Sequence, residues 1–485
     1  MCDWCGKCDT PCGVPVGQRN SRYRWIVRPK TPSHQGVPLS VQSVICPARP
    51  EREGPFAPGH LGELTQIVSA DLVDAALQNT GRVQRRVRVL PSRVVVYLLL
   101  AGALFAEIGY QQVWARLVAG LDPATVAAPG SSALSQALRR VGVAPLRELF
   151  ALLRGPAVGA TRWHGLLVCA IDGTSMFVPN SDANAAAFGR QTGRPDAESG
   201  YPMLRLLTVV ACGTRTVIDA VFGSYRIGET TYAPKLLRCL KPGMLLLADR
   251  NFAVTALVEQ IAAAHADLLI RCKDTRVLPP IRTLPDRTWL ARMGTVTVRV
   301  IDARINVALH GGATRCGHYR LITTLIDEKQ YSANELVNLY HQRWEIETSY
   351  LELKSTILGG RVLRAATPAG ITQEVYALLI TYQALRTAIA DTSLAHPTIS
   401  PDRLSFTVAL HAARDQVVAA AAAITATTVD LIGRIGAAVL HQPLPARRSR
   451  SSPRVVKRAI SKHRAKGTID RTNYTTSITI EILDG

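Results

Sequence analysis

The sequence predicts an α/β fold in which a mixed sheet with flanking helices follows a helical N-terminal domain. Apolar residues recur at helical spacing over residues 56–155. From Trp163 onward, apolar runs and helical segments alternate in the order β-β-β-α-β-α-β, which indicates a sheet that contains both antiparallel and parallel strands. Within the α/β domain of residues 160–390, the segment of about 274–334 alternates polar and apolar side chains, which predicts that it is rich in β-strands.

The N-terminal domain is expected to pack its helices around the apolar segment Ser92–Tyr110. Ser131 and Ser132 are suitable N-cap residues for a later helix that continues to Val141. Its portion Leu134–Val141 presents three polar side chains and could be the DNA-contacting helix of a helix-turn-helix unit. The preceding linker is long for such a unit, so a plain packing helix is an equal alternative. The three side chains are Gln136, Arg139 and Arg140.

The α/β domain is expected to open with three strands that pair as a meander, followed by two helices that alternate with two further strands. The expected elements are the strands LLVCAID, MLRLLTVVAC and TVIDAVFG, the helix Thr230–Leu240, the strand LLLAD, the helix Ala253–Ala264 and the strand Ala266–Cys272. In the segment of about 274–334, Trp289 could stack on an unpaired base. A buried position in the core of a hairpin is the more ordinary role for such an aromatic side chain.

The C-terminal region of residues 391–485 is expected to be helical and to end in a basic tail. Helices are predicted over Gln373–Ala390 and Leu404–Ala422. Residues 447–466 contain nine lysines and arginines and no acidic residue. This segment is either a solvated tail or a contact for the phosphate backbone of a nucleic acid, which would hold DNA in position without reading its sequence.

Two aspartates follow buried strands in the predicted sheet. Asp172 ends the apolar run that begins at Leu166, and Asp249 ends the run that begins at Met244. Aspartate is disfavoured in strands, so each of them calls for an explanation. A strand-end turn or a helix N-cap is sufficient for either one taken alone. Alternatively, two such acids that meet in the folded sheet could supply some of the ligands of a cation-binding site.

A later helix places four functional side chains on one stripe. At about 100° per residue, Tyr340, Arg343, Glu347 and Lys354 fall within an arc of roughly 60°. By the same arithmetic, Glu345 and Glu352 point roughly 120–140° away from Tyr340. A charged surface helix supported by i,i+3 and i,i+4 pairs is the alternative explanation. With the two aspartates, Glu347 would complete a set of three carboxylates, the oxygen ligands that Mg²⁺ prefers beside a phosphate.

These motifs together resemble a known family. The ungapped spacing Tyr-x2-Arg-x3-Glu-x6-Lys, the upstream IDGT and the pattern GxxLLxDRxF are similar to those of the DDE transposases of bacterial insertion sequences, in the insertion-element-four group. The resemblance extends from about Phe56 to the end of the chain. It implies a ribonuclease H-like catalytic core that is interrupted by a β-rich insertion.

The resemblance also implies roles for individual residues. Asp172, Asp249 and Glu347 would be the catalytic triad and would hold two Mg²⁺ ions, which Mn²⁺ may replace. Four side chains would contact DNA near the cleaved phosphate, namely Tyr340, Arg343, Lys354 and Arg250. The expected activity is cleavage of the element's ends and their transfer to target DNA. The expected partners are double-stranded DNA, both terminal inverted repeats and target, and a second copy of the chain in a synaptic dimer.

Composition agrees with a nucleic-acid partner. Lys and Arg number 57 against 36 Asp and Glu, a formal net charge of +21, and a polyanion is the natural partner of so basic a chain. Ribosome or membrane-surface binding would give the same sum. The longest apolar stretches, Val94–Ala106 and Val417–Val429, are too short to span a membrane, and no signal segment opens the sequence. We therefore expect a cytoplasmic, nucleoid-associated protein without a membrane partner.

Two further functions remain open at this level. A ribonuclease H-like nuclease that only hydrolyses would use the same three acids, and a catalytically inactive DNA-binding protein would keep the basic surface. The N-terminal segment 1–55 raises a separate question, because four cysteines there have the C-x2-C-x2-C-x3-C spacing of an iron–sulfur or zinc site. We favour a disordered or spurious extension over a metal site. The four are Cys2, Cys5, Cys8 and Cys12.

Overall fold

The computed structural model describes most of the chain beyond residue 60. The described residues are 61–84, 86, 88–119, 126–194, 197–309, 314–423, 433–445, 450–451 and 474–484. The four N-terminal cysteines lie outside them, as does most of the basic segment 447–466. No helix among the described residues is long and apolar enough to cross a membrane.

Five helices form the N-terminal region: α1 Ala70–Asn79, α2 Ser92–Leu104, α3 Tyr110–Leu117, α4 Ser131–Val141 and α5 Ala144–Leu153. The side chain of Ser69 caps α1 by accepting a hydrogen bond from the Leu72 amide. Helix α2 is apolar on all sides and almost entirely buried, as a central helix must be. On α4, Leu134, Ala137 and Val141 are buried, and Gln136 and Arg139 are exposed. Arg140 is only partly exposed and donates to the Leu90 carbonyl at 2.8 Å, so the expectation that α4 presents all three polar side chains was wrong for Arg140. This arrangement is compatible with both interpretations of α4.

The next part of the chain contains eight strands and three helices. They are β1 Arg162–Trp163, β2 Leu166–Phe177, α6 Asp182–Phe188, β3 Gln191–Arg194, β4 Ala197–Ser199, β5 Met203–Ala211, β6 Val217–Ser224, α7 Glu229–Tyr232, β7 Met244–Ala248, α8 Thr255–Ala263 and β8 Asp267–Cys272. Strands β3 and β4 form a separate hairpin. Five of the others are neighbours in a large sheet, in the order β6-β5-β2-β7-β8, with β6 at the edge.

The directions of these five strands define the core. Strand β2 is antiparallel to β5, and β5 is antiparallel to β6, whereas β2, β7 and β8 run parallel to one another. In order along the chain, the five strands are thus arranged 3-2-1-4-5, with the first strand at the centre. This is the mixed sheet of a ribonuclease H-like core, and it confirms the predicted fold class. Apolar side chains cover both faces of the sheet, and α8 packs on one of them.

The insertion extends this sheet. Its strands are β9 Arg282–Thr283, β10 Trp289–Met293, β11 Val296–Leu309 and β12 Thr314–Thr323. Strand β12 pairs antiparallel with β8, so the insertion continues the core sheet at its edge. Trp289 is buried, and its indole N–H donates to the Leu278 carbonyl at 2.9 Å. Its role is therefore packing, and the base-stacking alternative is wrong for the described conformation.

The remaining elements are α9 Ala333–Tyr340, α10 Trp344–Leu351, α11 Pro368–Ala395, α12 Phe406–Ala423, α13 Arg434–His441, β13 Arg450–Ser451 and β14 Tyr474–Ile482. Helix α11 packs against α2 and joins the N-terminal helices to the core. The C-terminal region differs from the prediction of an all-helical segment, because β14 pairs antiparallel with β11. The alternation of isoleucine with polar residues over 478–482 has the period of a strand, which explains the difference.

Candidate active site

Asp172 and Asp249 lie side by side at the carboxyl end of β7. Asp249 directly follows β7, whereas Asp172 lies within β2, which continues to Phe177 and pairs Asp172 with Thr208 of β5. The prediction that the strand ends at Asp172 was therefore wrong. Ile171 of β2 is in register with Ala248 of β7, so Asp172 and Asp249 follow at the same level on neighbouring parallel strands. One carboxylate oxygen of Asp172 accepts a hydrogen bond from the Gly173 amide at 2.8 Å. The carboxylate of Asp249 accepts one from the Asn251 amide at 2.8 Å and caps a short 3₁₀ turn. Asp249 thus has the capping role considered from the sequence, in addition to its place beside Asp172.

The environment of Asp172 disfavours its charged form. Burial raises the pKa of Asp172 to about 7, and the neighbouring carboxylates of Asp249 and Glu229 act in the same direction. The Gly173 amide and the Arg343 guanidinium lower the pKa but do not outweigh burial. An acid in this state has a strong electrostatic preference for an added positive charge. Perturbed carboxyl groups of this kind are typical of functional sites.

The predicted stripe is present, but the helix that carries it is irregular. Helix α9 ends at Tyr340, a 3₁₀ turn covers His341–Arg343, α10 follows, and Glu352–Ile357 form a π-helical turn. The prediction of one regular helix was therefore wrong. Turns of this type often occur in helices at functional sites, where they change the direction of a side chain.

Arg343 links two of the three acids. Its guanidinium donates to Glu347 at 2.9 Å and lies 3.9 Å from the carboxylate of Asp172. It also lies against the rings of Tyr340 and Trp344, the latter of which is half exposed. The arginine thus supplies positive charge between the strand and the helix.

The other predicted DNA-contacting residues have different surroundings. The buried hydroxyl of Tyr340 donates to the Ala248 carbonyl at 3.1 Å, so this side chain holds the end of β7. Lys354, in the π-helical turn, donates to the Thr174 hydroxyl at 3.1 Å, and burial lowers its pKa. Arg250 is exposed, immediately after Asp249. Lys354 therefore lies close to Asp172 in space, through Thr174, and Arg250 follows Asp249 in the sequence. Tyr340 instead contacts the backbone of β7.

Sequence reasoning missed two residues of this region. The hydroxyl of Tyr350 donates to the Asp172 carbonyl at 2.6 Å and accepts a hydrogen bond from the Thr208 amide at 3.1 Å. Glu229, the first residue of α7, lies against Gly173 and pairs with Arg205. An acidic residue that begins a helix directly after β6 was a signal for Glu229. No sequence pattern pointed to Tyr350, because its partners are distant in the chain.

Glu345 and Glu352 point away from the site, as the helix arithmetic predicted. Glu345 accepts a hydrogen bond from the buried Arg215, which also donates to Glu352 at 3.1 Å. Arg386 of α11 donates to Glu352 as well, at 2.9 Å through Nε. These contacts fix the far side of α10 and the π-helical turn, and so they set the position of Glu347.

The donor set suits a hard divalent cation, since carboxylate oxygens are the ligands that Mg²⁺ and Mn²⁺ accept. Within the part of the chain that the structure describes, no three histidine, cysteine or acidic side chains are already arranged to hold an ion. A cation would have to replace the Arg343 guanidinium as the partner of Asp172 and Glu347. The residues fit the chemistry of the group, with Arg343 as the charge that it displaces.

Comparison with known proteins gives consistent matches. Residues 58–151 match the family described as insertion element 4 transposase N-terminal, and residues 163–384 match the transposase DDE domain. The chain is similar to the transposase InsG for insertion sequence element IS4 of Escherichia coli K12, with 27% identity over 420 residues, which is 82% of this chain and 92% of the relative. It is also similar to the putative transposase InsZ of the same organism, with 32% identity over 126 residues, which is 25% of this chain and 42% of the relative.

Among solved structures, the cryo-EM structure of the piggyBac transposase synaptic complex with hairpin DNA aligns over 83% of this chain and 86% of its own. The TM-score is 0.41, and the sequence identity is 11%.

Proposed function

Because this chain belongs to the insertion element 4 family of DDE transposases, we propose that Asp172, Asp249 and Glu347 are the acids with which it acts on DNA. The chain is a transposase, and DNA strand cleavage and strand transfer are the general activity of its family. The observation that supports the assignment is the arrangement at the carboxyl end of β7. Asp172 and Asp249 each follow the last register pair of β2 and β7, Ile171 and Ala248, and Arg343 links Asp172 to Glu347.

Members of this family use divalent metal ions. We propose two Mg²⁺ ions, which Mn²⁺ can replace, with Asp172, Asp249 and Glu347 as their protein ligands. When bound, such ions would activate the attacking oxygen and stabilise the charge that develops on the leaving oxygen of a phosphodiester. Burial and the neighbouring carboxylates of Asp249 and Glu229 raise the pKa of Asp172, and the same surroundings favour an added positive charge.

The overall reaction has two displacements. Water attacks the phosphodiester at the element's end, the bond from phosphorus to the 3′ oxygen breaks, and a 3′-OH is released. That 3′-OH then attacks a phosphodiester of target DNA, which joins the two strands and releases a new 3′-OH. Each displacement needs an in-line arrangement of the attacking and leaving oxygens.

The chain's own residues would position the phosphate. Once a cation takes its place beside Glu347, Arg343 can turn its guanidinium to the non-bridging oxygens, for which its planar fork is well suited. Lys354 and Arg250 flank the aspartates and would neutralise the same phosphate or the next one. Tyr340 serves the site indirectly by fixing the end of β7, and a direct contact with DNA would require it to leave the Ala248 carbonyl.

We propose double-stranded DNA as the partner, both the terminal inverted repeats of the element and its target, bound by a homodimer that pairs two ends. The net charge of +21 supports a polyanionic partner. The N-terminal domain of residues 56–155 would contact the ends, and the domain of 160–390 would catalyse. The basic tail of residues 447–466, within the C-terminal region 391–485, would contact the DNA backbone. Such a protein would work in the cytoplasm at the nucleoid.

The proposal can be tested with DNA that carries the inverted repeats flanking the coding region. The wild-type chain should nick these ends in Mg²⁺ or Mn²⁺ and should join a pre-cleaved end to target DNA. Asp172→Asn and Glu347→Gln should lower both rates by about 10²–10³-fold or more, the usual effect of removing one group that stabilises charge in a transition state. Glu335→Gln is the matched control, because this acid of α9 is exposed and pairs with His164 outside the site.

The results distinguish three functions. Cleavage without joining of pre-cleaved ends would indicate a nuclease that lacks strand transfer. Binding without cleavage by the wild-type chain would indicate an inactive DNA-binding protein. Equal cleavage by the wild type, Asp172→Asn and Glu347→Gln would overturn the assignment of the acids.

A further inference from the structure

A fourth acidic residue lies at the same sheet edge as the two aspartates. Successive residues of a strand point to opposite faces, so Gly173 faces away from the side on which Asp172 lies. A Cβ atom added at Gly173 would be only 2.5 Å from a carboxylate oxygen of Glu229. Glu229 therefore lies directly against the backbone of β2, beside Asp172 and across the sheet from α10. Glycine at position 173 leaves the space that this carboxylate occupies.

The position of Glu229 is fixed by its neighbours. Arg205 of β5 donates to one of its carboxylate oxygens at 3.1 Å, and both side chains are about four-fifths buried, at 17% and 22% exposure. Arg205 is itself oriented by the carbonyl of Tyr225 at 3.3 Å and by the ring of the same residue, 4.7 Å from the guanidinium carbon. The carboxylate is thus held against β2 by a supported arginine, as is typical of a preorganised site.

One arginine does not neutralise this acidic edge. Glu229 lies within electrostatic range of Asp249, and Arg205 is the arginine that pairs with it. Glu229 and Asp249 in turn both act on Asp172. A simple structural ion pair between Glu229 and Arg205 would not require two further acids within electrostatic range. Three mutually repelling carboxylates beside one partly exposed edge are more favourable when a cation is present.

We propose that Glu229 is a fourth acidic residue of the divalent-cation site, held by Arg205 and given room by Gly173. This inference rests on the proposed function, because it assigns Glu229 to the site of Asp172, Asp249 and Glu347. Glu229 lies on the face of the sheet opposite α10, so it closes the site from the side that Glu347 does not reach. Its role is to orient and strengthen cation binding, as outer carboxylates do around other metal sites.

The direct test is Mn²⁺ binding by the intact DNA-free chain, measured as free Mn²⁺ by electron paramagnetic resonance. Glu229→Gln keeps the shape and the hydrogen bond to Arg205 but removes the charge. We expect its affinity for Mn²⁺ to fall by about 10–100-fold, the range for lost outer-shell partners. Glu335→Gln, which removes one exposed acid elsewhere, should bind Mn²⁺ as the wild type does. The thermal unfolding midpoint of each variant verifies that it is folded.

A second variant tests the same inference without removing the charge. In Gly173→Ala the added methyl group must displace Glu229, so Mn²⁺ affinity should fall in the same direction as in Glu229→Gln. If the methyl group acts through Glu229, it should have no further effect in the Glu229→Ala background, where the displaced carboxylate is absent. Full additivity of the two changes would contradict the proposed link between Gly173 and Glu229.

The outcomes separate this inference from the proposed function. If Asp172→Asn abolishes Mn²⁺ binding and Glu229→Gln binds like the wild type, Glu229 is only the structural partner of Arg205 and the inference is wrong. If Asp172→Asn also binds Mn²⁺ like the wild type, the assignment of the whole site fails. Weakened binding in both variants, with Glu335→Gln unaffected, supports the inference.

Discussion

Helix α10 and the π-helical turn after it carry acidic residues on two sides, and the two sides differ in how those acids are satisfied. On the site side, Glu347 is 34% exposed and accepts a hydrogen bond from Arg343, which is shared with Asp172. On the far side, Glu352 is buried and accepts hydrogen bonds from Arg215, Arg386 and the hydroxyl of Tyr382. A glutamate on the site side thus has one hydrogen-bond partner, which it shares with Asp172, whereas a glutamate on the far side has three partners of its own.

The difference indicates separate tasks. A buried carboxylate with several fixed donors cannot change partners without leaving a charge unpaired in the core, so it holds the helix in one position. A partly exposed carboxylate with one shared arginine can exchange that arginine for a cation at small cost. The far side therefore gives the site side its geometry, while the site side keeps a partner that it can release.

Arg386→Met should have the largest effect on stability, because it removes a cation from the far side and leaves Glu352 underpaired in the core. Breaking a buried ion pair in this way costs about 3–5 kcal/mol. The measurement is the urea unfolding midpoint of the Arg386→Met variant, compared with that of the wild type in the same buffer.

The matched change on the site side is Arg343→Met, which removes the partner of Glu347. Because Glu347 is one-third exposed, we expect a stability loss of about 1 kcal/mol or less, as for surface pairs. DNA cleavage should nevertheless fall strongly in this variant. Equal destabilisation by Arg343→Met and Arg386→Met would remove the distinction between the two sides.

The sequence predicted the direction in which side chains point better than it predicted the residues that they contact. The 3.6-residue period was sufficient to place Glu345 and Glu352 away from Tyr340. The two apolar runs were sufficient to bring Asp172 and Asp249 together, although β2 does not end at Asp172 as expected but continues to Phe177. The same period could not foresee the 3₁₀ and π-helical turns, which depend on packing against β2 and α11. Arg215, a non-glycine residue with φ of +58° in the turn between β5 and β6, is 130 residues from Glu345, so no local pattern could connect them.

For the same reason, the sequence did not predict the roles of Glu229 and Tyr350. Glu229 and Tyr350 are placed by contacts with β2 and β5, which come together only when the sheet forms. β14 was missed for a different reason. It is a short alternating segment after a long basic stretch, and the residues of β11 with which it pairs lie about 170 residues earlier in the chain.

Asp172, on the site side, should make the free energy of unfolding depend on pH. The folded-state pKa of Asp172, about 7, lies above its ordinary value of 3.8, so the folded chain binds more protons than the unfolded chain between these values. Its contribution to stability is therefore full below pH 3.8 and is lost as the pH rises toward 7. In the chelated, DNA-free chain, Asp172→Asn should gain stability over the wild type across this window by up to about 1.4 kcal/mol per pH unit.

The check is a series of urea unfolding curves for wild type and Asp172→Asn from pH 4 to pH 8. The difference between the two should grow up to about pH 7 and then stay constant. Added Mg²⁺ should reduce the difference, since a cation favours the charged carboxylate. A difference that is the same at every pH would show that the environment of Asp172 does not penalise its charge.

Tyr350 lies where the two sides of α10 meet, and its substitution should affect stability about as little as that of Arg343. Its hydroxyl connects the Asp172 carbonyl to the Thr208 amide, so it orders the backbone of the catalytic strand without touching the carboxylate. Tyr350→Phe keeps the ring and should cost about 1 kcal/mol of stability, the net worth of such a hydrogen bond. If Tyr350 serves mainly to position Asp172, Mn²⁺ affinity should also fall several-fold. If stability falls while Mn²⁺ affinity is unchanged, Tyr350 resembles Glu352: it holds the helix in position and does not contribute to cation binding. Glu347 would then be the residue of this helix that serves the cation.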